Sequence, residues 1–138
     1  MISILISSER VNQAEKVFKL LEDEELVITF NILEEAAYVG LSAIYGCRGY
    51  KLRDKVRKGL SDEARAFLDG LRSFIEEFQI RMILPPRDPI MLLDIIINYR
   101  LMPADAAIAA SCKCHGITKI ATLDADFKRV DFLEVIDA

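Results

Sequence analysis

The sequence predicts a single α/β domain whose mostly parallel sheet is covered by helices on both faces. Short apolar runs typical of buried strands alternate along the chain with segments whose apolar residues recur at helical spacing. Parallel strands need a long crossover, usually a helix, between them, so such an alternation predicts a layered α/β fold. The 138 residues, 52% hydrophobic and 29% charged, suit one compact domain over residues 1–138.

The first half of the chain is predicted to begin with a helix, a strand and a second helix. The first helix is indicated by five apolar residues at helical spacing: Val11, Ala14, Val17, Phe18 and Leu21. The apolar run 26–30 indicates a buried strand. Asn31 is a good N-cap residue, and Glu34 three positions later completes a capping-box pattern, which predicts a helix from there to about Tyr45.

Capping residues and prolines mark three further helices in the second half. We expect them to begin at Ser61, at Asp88 before Pro89, and at Pro103, with Gly116 ending the last one. Three short apolar runs are predicted to be strands: 80–84, 119–123 and 132–136. Ligands of parallel sheets collect at the carboxyl ends of the strands, so acidic residues there are the candidates for a site.

The composition excludes several classes of protein. The longest apolar runs are far shorter than the roughly 20 residues that a membrane-spanning helix needs. The first residues carry neither a basic leader nor a small-residue cleavage site, so we expect a cytoplasmic protein without a secretory signal. The net charge of -4 argues against broad non-specific binding to nucleic acid, which requires a basic face.

The cysteines are expected to be reduced and structural. The chain has three cysteines, an odd number, and a domain of this size does not need disulfides for stability. Both points favour free thiols over a disulfide framework. Cys112, Cys114 and His115 form a Cys-x-Cys-His cluster, but a closed zinc site needs a fourth ligand and only the distant Cys47 remains. His115 is the single histidine, and nothing around it supports a catalytic triad.

One short stretch of the chain is strongly basic. It contains six cations: Arg48, Lys51, Arg53, Lys55, Arg57 and Lys58. Charge runs are usually solvated, so a solvent-exposed helix face is the favoured interpretation. Contact with a phosphate backbone is the alternative.

Four carboxylates are expected to converge at one edge of the sheet: Glu35, Asp105, Asp124 and Asp126. Helical spacing puts Glu35 at least partly inward and Asp105 on the apolar stripe at a helix start. Taken singly, Asp105 could be an ordinary acidic residue in the first turn of a helix. Asp124 and Asp126, which follow strand 119–123, could be ordinary turn residues. Together the carboxylates would repel each other unless a cation neutralised them, and oxygen-only ligands suit Mg²⁺ or Mn²⁺.

Two segments near the carboxyl terminus resemble the signature of PIN-domain ribonucleases, the family that includes VapC-type toxins. Segment 101–110 contains Pro-x-Asp-Ala followed by small residues, and segment 116–130 contains Thr-x-Asp-x-Asp-Phe. Leu-Glu-Glu-Ala at 33–36 is similar to the family's weaker glutamate motif, whereas 43–99 matches in pattern only. The resemblance covers the whole chain and implies a PIN-like three-layer α/β/α domain.

By this resemblance the chain would be a metal-dependent endoribonuclease that hydrolyses RNA phosphodiester bonds with Mg or Mn. Glu35, Asp105 and Asp124 would be the catalytic metal ligands, and Asp126 a supporting acid at the metal. Residues that could hold the RNA backbone are Lys51, Arg53, Lys55, Arg57 and Lys58. Toxins paired with a small antitoxin protein are the commonest context in the family, which implies a homodimer bound to an inhibitory partner.

The chain departs from the family pattern at its front. PIN domains usually open with a strand that ends in an aspartate, whereas residues 2–10 resemble the helix and loop that follow, and no acid precedes Glu9. We therefore expect a domain that is N-terminally incomplete relative to the family, because Met1 is an internal codon or because the member is degenerate. Such a chain would use residues 2–6 as a substitute strand, borrow one from another protomer, or leave a gap.

Two other functions remain open from the sequence. Without the first aspartate the domain could be a binding or assembly module with impaired catalysis. The Asp124-Ala-Asp126 triplet also resembles a phosphoryl-transfer nucleophile and acid. Such phosphatases usually place this triplet after their first strand, so this reading is the least favoured.

Overall fold

A five-stranded parallel sheet forms the centre of the molecule. The computed structural model describes residues 3–6, 24–122 and 124–136. In sequence order the strands are β1 (Ser3–Ile6), β2 (Glu25–Thr29), β3 (Arg81–Ile83), β4 (Lys119–Ala121) and β5 (Glu134–Ile136). Their order in the sheet is β3-β2-β1-β4-β5, and every neighbouring pair is parallel, which confirms the predicted α/β class.

Five α-helices and one 3-10 helix accompany the strands in the described part of the chain. The α-helices are α1 (Phe30–Tyr45), α2 (Gly49–Arg57), α3 (Asp62–Glu77), α4 (Pro89–Tyr99) and α5 (Pro103–His115). The 3-10 helix, Ala125–Arg129, follows β4. The predicted opening helix over residues 11–21 lies outside the described residues.

The order of the strands explains why the helices form two layers. The chain moves outward from β2 to β3 through α1, α2 and α3, and it returns across the sheet from β3 to β4 through α4 and α5. Crossovers between parallel strands are almost always right-handed, so connections that run in opposite directions lie on opposite faces. This gives the predicted three-layer arrangement.

The N-terminal strand corrects the resemblance of this segment to a helix and loop. Ser3–Ile6 is a strand, as the alternative of a substitute strand expected: β1 occupies the middle of the sheet, and Leu5 pairs with Val27 on one side and with Ile120 on the other. The side chain of Leu5 is fully buried. A short apolar run suffices for this position because a central strand is stabilised by ladders on both edges. The residue that follows β1 in the sequence is Ser7 rather than an aspartate.

The start of α1 is a second correction. The helix is capped by Thr29, whose Oγ1 accepts a hydrogen bond from the Ile32 N–H over 3.3 Å, and not by Asn31. Thr29 is the last residue of β2, so the strand runs directly into the helix. Glu34 is exposed and takes no part in the cap, and the side chain of Asn31 instead accepts from the Thr29 hydroxyl and donates to the carbonyl of Ala104.

The other predicted helix boundaries are confirmed. Ser61 caps α3 by accepting from the Ala64 N–H over 3.1 Å, and Asp88 caps α4 directly before Pro89. Helix α5 begins at Pro103 and ends before Gly116, which has the positive φ of 68° that favours glycine at this position. Among the described residues, no helix is both long and apolar enough to span a membrane.

Candidate metal centre

Three aspartates lie together at the carboxyl edge of the sheet. Asp105 is in the first turn of α5, Asp124 follows β4, and Asp126 is in the 3-10 helix. One carboxylate oxygen from each residue lies within 4.8 Å of the others, and all three side chains are half-buried. We call Asp105, Asp124 and Asp126 the carboxylate group. The structure thus brings together three of the four acids that the sequence analysis selected.

The donor set of the carboxylate group fits a hard divalent cation. All its ligand atoms are carboxylate oxygens, which Mg²⁺ and Mn²⁺ prefer over nitrogen or sulfur ligands. Three negative charges this close repel each other, and a cation between them removes that repulsion. Partial burial strengthens the attraction, because less water screens the charges.

The loop after β4 sets the spacing of Asp124 and Asp126. Thr122 is fully buried, and its Oγ1 accepts from the Asp124 N–H over 3.0 Å. The Asp124 Oδ1 in turn accepts from the Asp126 N–H over 2.9 Å and caps the 3-10 helix. An ionised carboxylate has about four lone-pair sites, so Asp124 makes this turn and still offers an oxygen to a cation. Asp124 can therefore both form the turn and bind a metal ion.

Asp105 can likewise be both a first-turn acid of a helix and a metal ligand. It lies in the first turn of α5, where the unpaired N–H groups of the helix favour a negative charge. Its neighbours Ala106 and Ala109 are fully buried, so α5 packs closely on the core and holds this end of the helix at the carboxyl edge. The packing of α5 on the core therefore helps to set the position of Asp105.

Glu35 is not part of the carboxylate group. Its side chain is exposed, so the expectation that it points partly inward is wrong. The buried face of α1 carries Ile32 and Ala36, and Glu35 lies to one side of that face. Asn31, four residues before Glu35 and therefore on the same side of the helix, donates through Nδ2 to the carbonyl of Ala104 over 3.1 Å. Glu35 thus lies one helical turn from a contact beside Asp105, and its role as a ligand stays a prediction.

Four of the basic residues lie on α2, and Lys58 is the residue that caps its end. The side chains of Lys51, Arg53, Lys55, Arg57 and Lys58 are all exposed. Leu52 is buried beneath them, and the guanidinium of Arg53 lies over the ring of Tyr50, 4.7 Å from its centroid. This is the solvated helix face that the sequence favoured, and RNA contact by these residues stays a prediction.

The cysteines of the Cys-x-Cys-His cluster differ in their exposure. Cys112 is buried, and its burial raises the pKa of the thiol from 9.0 to about 12. Cys114 is exposed, and Nε2 of His115 lies 2.8 Å from the carbonyl oxygen of Leu84. The thiols of Cys47, Cys112 and Cys114 are free. Within the described residues the cluster does not form a group of potential metal ligands.

Two residues at the site were missed in the sequence analysis. Asn31 joins the starts of α1 and α5 through its bond to Ala104. Arg129 forms an ion pair with Asp126, 2.9 Å from Nη1 to Oδ1. The i,i+3 spacing of Asp126 and Arg129 was the one available signal, since it allows an ion pair on a helical turn. Nothing in the local sequence indicates that Asn31 contacts a residue 73 positions away.

Comparisons of this chain with known proteins point to one family. Residues 1–133 match the PIN domain. The chain is 33% identical over 129 residues to Ribonuclease VapC2 of Methanocaldococcus jannaschii, with 91% of this chain and 82% of the relative covered. A shorter match, 53% identical over 39 residues, covers 28% of this chain and 26% of Ribonuclease VapC6 of the same organism.

A solved structure with a similar fold is VapBC2 from Rickettsia felis bound to a DNA fragment from their promoter. It has a TM-score of 0.66 at 15% identity, with 98% of each chain covered. A toxin-antitoxin complex from Klebsiella pneumoniae has a TM-score of 0.61 at 15% identity, with 96% of this chain and 95% of that chain covered. Identities this low show the fold alone. With the sequence match over residues 1–133, they establish that the chain belongs to the PIN domain family.

Proposed function

We propose that this protein is a metal-dependent endoribonuclease that hydrolyses RNA phosphodiester bonds in the cytoplasm, as the toxin of a toxin-antitoxin pair. The observation that carries the proposal is the carboxylate group, whose oxygens lie within 4.8 Å of one another at the carboxyl edge of a parallel sheet. Similarity to Ribonuclease VapC2 over 91% of the chain supports RNA as the substrate.

Asp105, Asp124 and Asp126 would hold Mg²⁺ or Mn²⁺, and Glu35 would complete the set as an outlying ligand. A divalent cation bound there supplies an activated water and neutralises charge on the phosphate. The protein's part is to hold the carboxylates close together in a half-buried position. The hydrogen bonds that the Thr122 and Asp124 side chains accept from the backbone of the loop after β4 serve this purpose.

The basic face of α2 is the proposed contact with the RNA backbone. Its lysines and arginines are exposed and project from one helix, so they can bind phosphates without fixing the base sequence. With a net charge of -4, this local patch rather than the whole surface would attract RNA. Binding through it would weaken with salt, because each phosphate contact releases counterions.

A small antitoxin protein is the proposed partner. The similar folds from Rickettsia felis and Klebsiella pneumoniae were solved in toxin-antitoxin complexes. A groove of about 380 Å³ between α1 and α3 is lined by apolar side chains that an inhibitory segment could cover: Leu33, Ala37, Leu68, Leu71 and Ile75.

A homodimer is also proposed, through the outer face of α4. Ile90, Leu93 and Ile97 recur on this face and are 63%, 53% and 72% exposed, while Ile95 on the opposite face is buried in the core. Exposed apolar side chains that form a stripe along a helix are typical of an interaction surface. In a symmetric dimer the same face of each copy packs against the other, which covers such a stripe without requiring a different partner.

A second candidate is a binding or assembly module with impaired catalysis. It is favoured by one observation, namely that Ser7 and not an aspartate follows the central strand β1 in the sequence. The carboxylate group would then bind a cation too weakly for hydrolysis.

The decisive experiment is cleavage of a mixed single-stranded RNA by the purified chain. Cleavage should require Mn²⁺ or Mg²⁺, stop on addition of a chelator, and disappear in Asp105→Asn. Asp69→Asn is the matched control, because Asp69 lies on the exposed surface of α3 and outside the carboxylate group. Cleavage that survives in Asp105→Asn would come from a contaminating nuclease and would count against the proposal. Absence of cleavage by the wild type and by both variants would favour the binding module.

A further inference from the structure

We propose that Arg129 is a positioning residue for Asp126, and that its guanidinium holds this carboxylate in the geometry that lets it share a divalent cation with Asp105 and Asp124. The inference rests on the proposed function, because it concerns the same site. It assigns a role to a residue that would not itself touch the cation.

The guanidinium of Arg129 bonds to three acceptors from three different nitrogens. Nη1 donates to the Asp126 Oδ1 over 2.9 Å, Nη2 to the carbonyl of Arg100 over 2.7 Å, and Nε to the carbonyl of Tyr99 over 3.0 Å. The planar guanidinium presents its donors in fixed directions, so three simultaneous bonds determine both its position and its orientation. The Asp126 carboxylate is therefore attached to a rigid group.

The carbonyl acceptors connect the site to the end of α4. Tyr99 is the last residue of α4, and Arg100 caps it in the left-handed conformation with φ of 55°. Carbonyls at the end of a helix have no partner within the helix and carry partial negative charge, so a cation is stabilised there. Arg129 satisfies two such carbonyls and is thereby anchored to an element outside the loop that carries Asp126.

The contact leaves Asp126 able to act as a ligand. The ion pair uses Oδ1, and a carboxylate has enough lone pairs to accept from Arg129 and to offer an oxygen to a cation. The side chains of Arg129 and Asp126 are 33% and 49% exposed, so the charge of the arginine is partly screened by water. We therefore infer that the directional bonds of the guanidinium matter more than its charge.

Charge and geometry make opposite predictions for cation affinity. If Arg129 acted mainly through its charge, it would repel a divalent cation, and its removal would tighten binding. If it acts by positioning Asp126, its removal weakens binding, and lysine cannot replace it, because one ammonium cannot bond three separated acceptors in a plane. Arg129→Lys retains the charge without the geometry, and Arg129→Gln removes both.

The test is the affinity of the full chain for Mn²⁺ alone, measured by titration calorimetry without RNA. We expect Arg129→Lys and Arg129→Gln each to weaken Mn²⁺ binding by about tenfold or more, the range typical of residues that orient a metal ligand. Arg72→Lys is the control, since Arg72 is an exposed arginine on α3 whose ion pair with Asp69 is also at i,i+3 spacing. Thermal unfolding in chelator checks that each variant is folded.

A double-mutant cycle with Asp126→Asn shows whether Arg129 acts through Asp126. In that background Arg129→Lys should change the Mn²⁺ affinity by less than about twofold, because the effects are not independent. This comparison holds even if Arg129→Lys lowers stability. Unchanged or tighter binding in the single variants, or an equal loss in both backgrounds, would overturn the inference and leave the proposed function intact. A wild-type chain that does not bind Mn²⁺ would overturn both.

Discussion

The side-chain amide of Asn31 donates to the main-chain carbonyl of Ala104 over 3.1 Å, and this bond joins the first turns of α1 and α5. The residue after Ala104 is Asp105, so the contact lies beside the carboxylate group. Two helices on opposite faces of the sheet are thus tied together at the edge where the site forms. The side chain of Asn31 is itself oriented by the hydroxyl of Thr29, which donates to its Oδ1.

Replacing Asn31 by Ala should weaken the site as well as the fold. Loss of one hydrogen bond of this kind costs about 1 kcal/mol of unfolding free energy. Because the bond holds the start of α5, we also expect weaker Mn²⁺ binding than in the wild type. Urea unfolding and Mn²⁺ titration measure the two effects. Asn98→Ala, at an exposed position of α4, is the control, and an Asn31→Ala protein with wild-type Mn²⁺ affinity would contradict the prediction.

The two neighbouring glutamates of α1 provide a matched pair. Both Glu34 and Glu35 are exposed, but Glu35 lies on the same side of the helix as Asn31. If Glu35 is a ligand, Glu35→Gln should lower Mn²⁺-dependent RNA cleavage by at least about tenfold. Glu34→Gln should leave the rate unchanged. Equal rates for the two variants would remove Glu35 from the site, and a loss confined to Glu34→Gln would exchange their roles.

The apolar stripe of α4 predicts a change of oligomeric state. Ile97→Glu places a charge at a side chain that is 72% exposed in the single chain and would be buried in a symmetric dimer. Burying an unpaired carboxylate is strongly unfavourable, so this variant should be monomeric. The mass measured by light scattering should fall from two chains to one. Val39→Glu on α1 is the control, and a wild-type protein that is already monomeric would refute the dimer.

The buried thiol of Cys112 should be unreactive in the native protein. Its pKa is raised from 9.0 to about 12 by burial, so the reactive thiolate is scarce at pH 8, and access to it is blocked as well. Cys114 is exposed and should react rapidly with a thiol reagent under the same conditions. Counting modified thiols before and after adding urea tests this, with Cys114→Ser to assign the fast reaction.

The same pKa shift has a consequence for stability at high pH. The folded protein retains the Cys112 proton more strongly than the unfolded chain does, so unfolding is increasingly favoured as pH rises from about 9 toward 12. This contribution is fully present below pH 9. Cys112→Ala should make the decline of the unfolding free energy less steep across that range. An identical decline in the two proteins would show that Cys112 does not contribute.

Local sequence signals were sufficient to predict most helix boundaries in the second half of the chain. Ser61, Asp88 and Pro103 start helices, and Gly116 ends one, because these effects depend on a few adjacent residues and their own backbone geometry. The motif resemblance identified the family and selected the acids that form the carboxylate group. The three strands of this half, β3, β4 and β5, are each two residues shorter than their apolar runs, since pairing with neighbours and not apolarity sets their ends.

Features that depend on residues far apart in the sequence were decided only by the tertiary structure. The run at Ser3–Ile6 is a central strand because both its neighbours arrive from elsewhere in the chain, which no local pattern reveals. Thr29 replaces Asn31 as the helix cap because β2 continues directly into α1. Glu35 is exposed because α1 packs on the core through a face that carries Ile32 and Ala36. By itself the sequence determined the family, most helix starts and the three aspartates. Only the fold determined the bonds of Asn31 to Ala104 and of Arg129 to Tyr99 and Arg100, since these partners lie far apart along the chain.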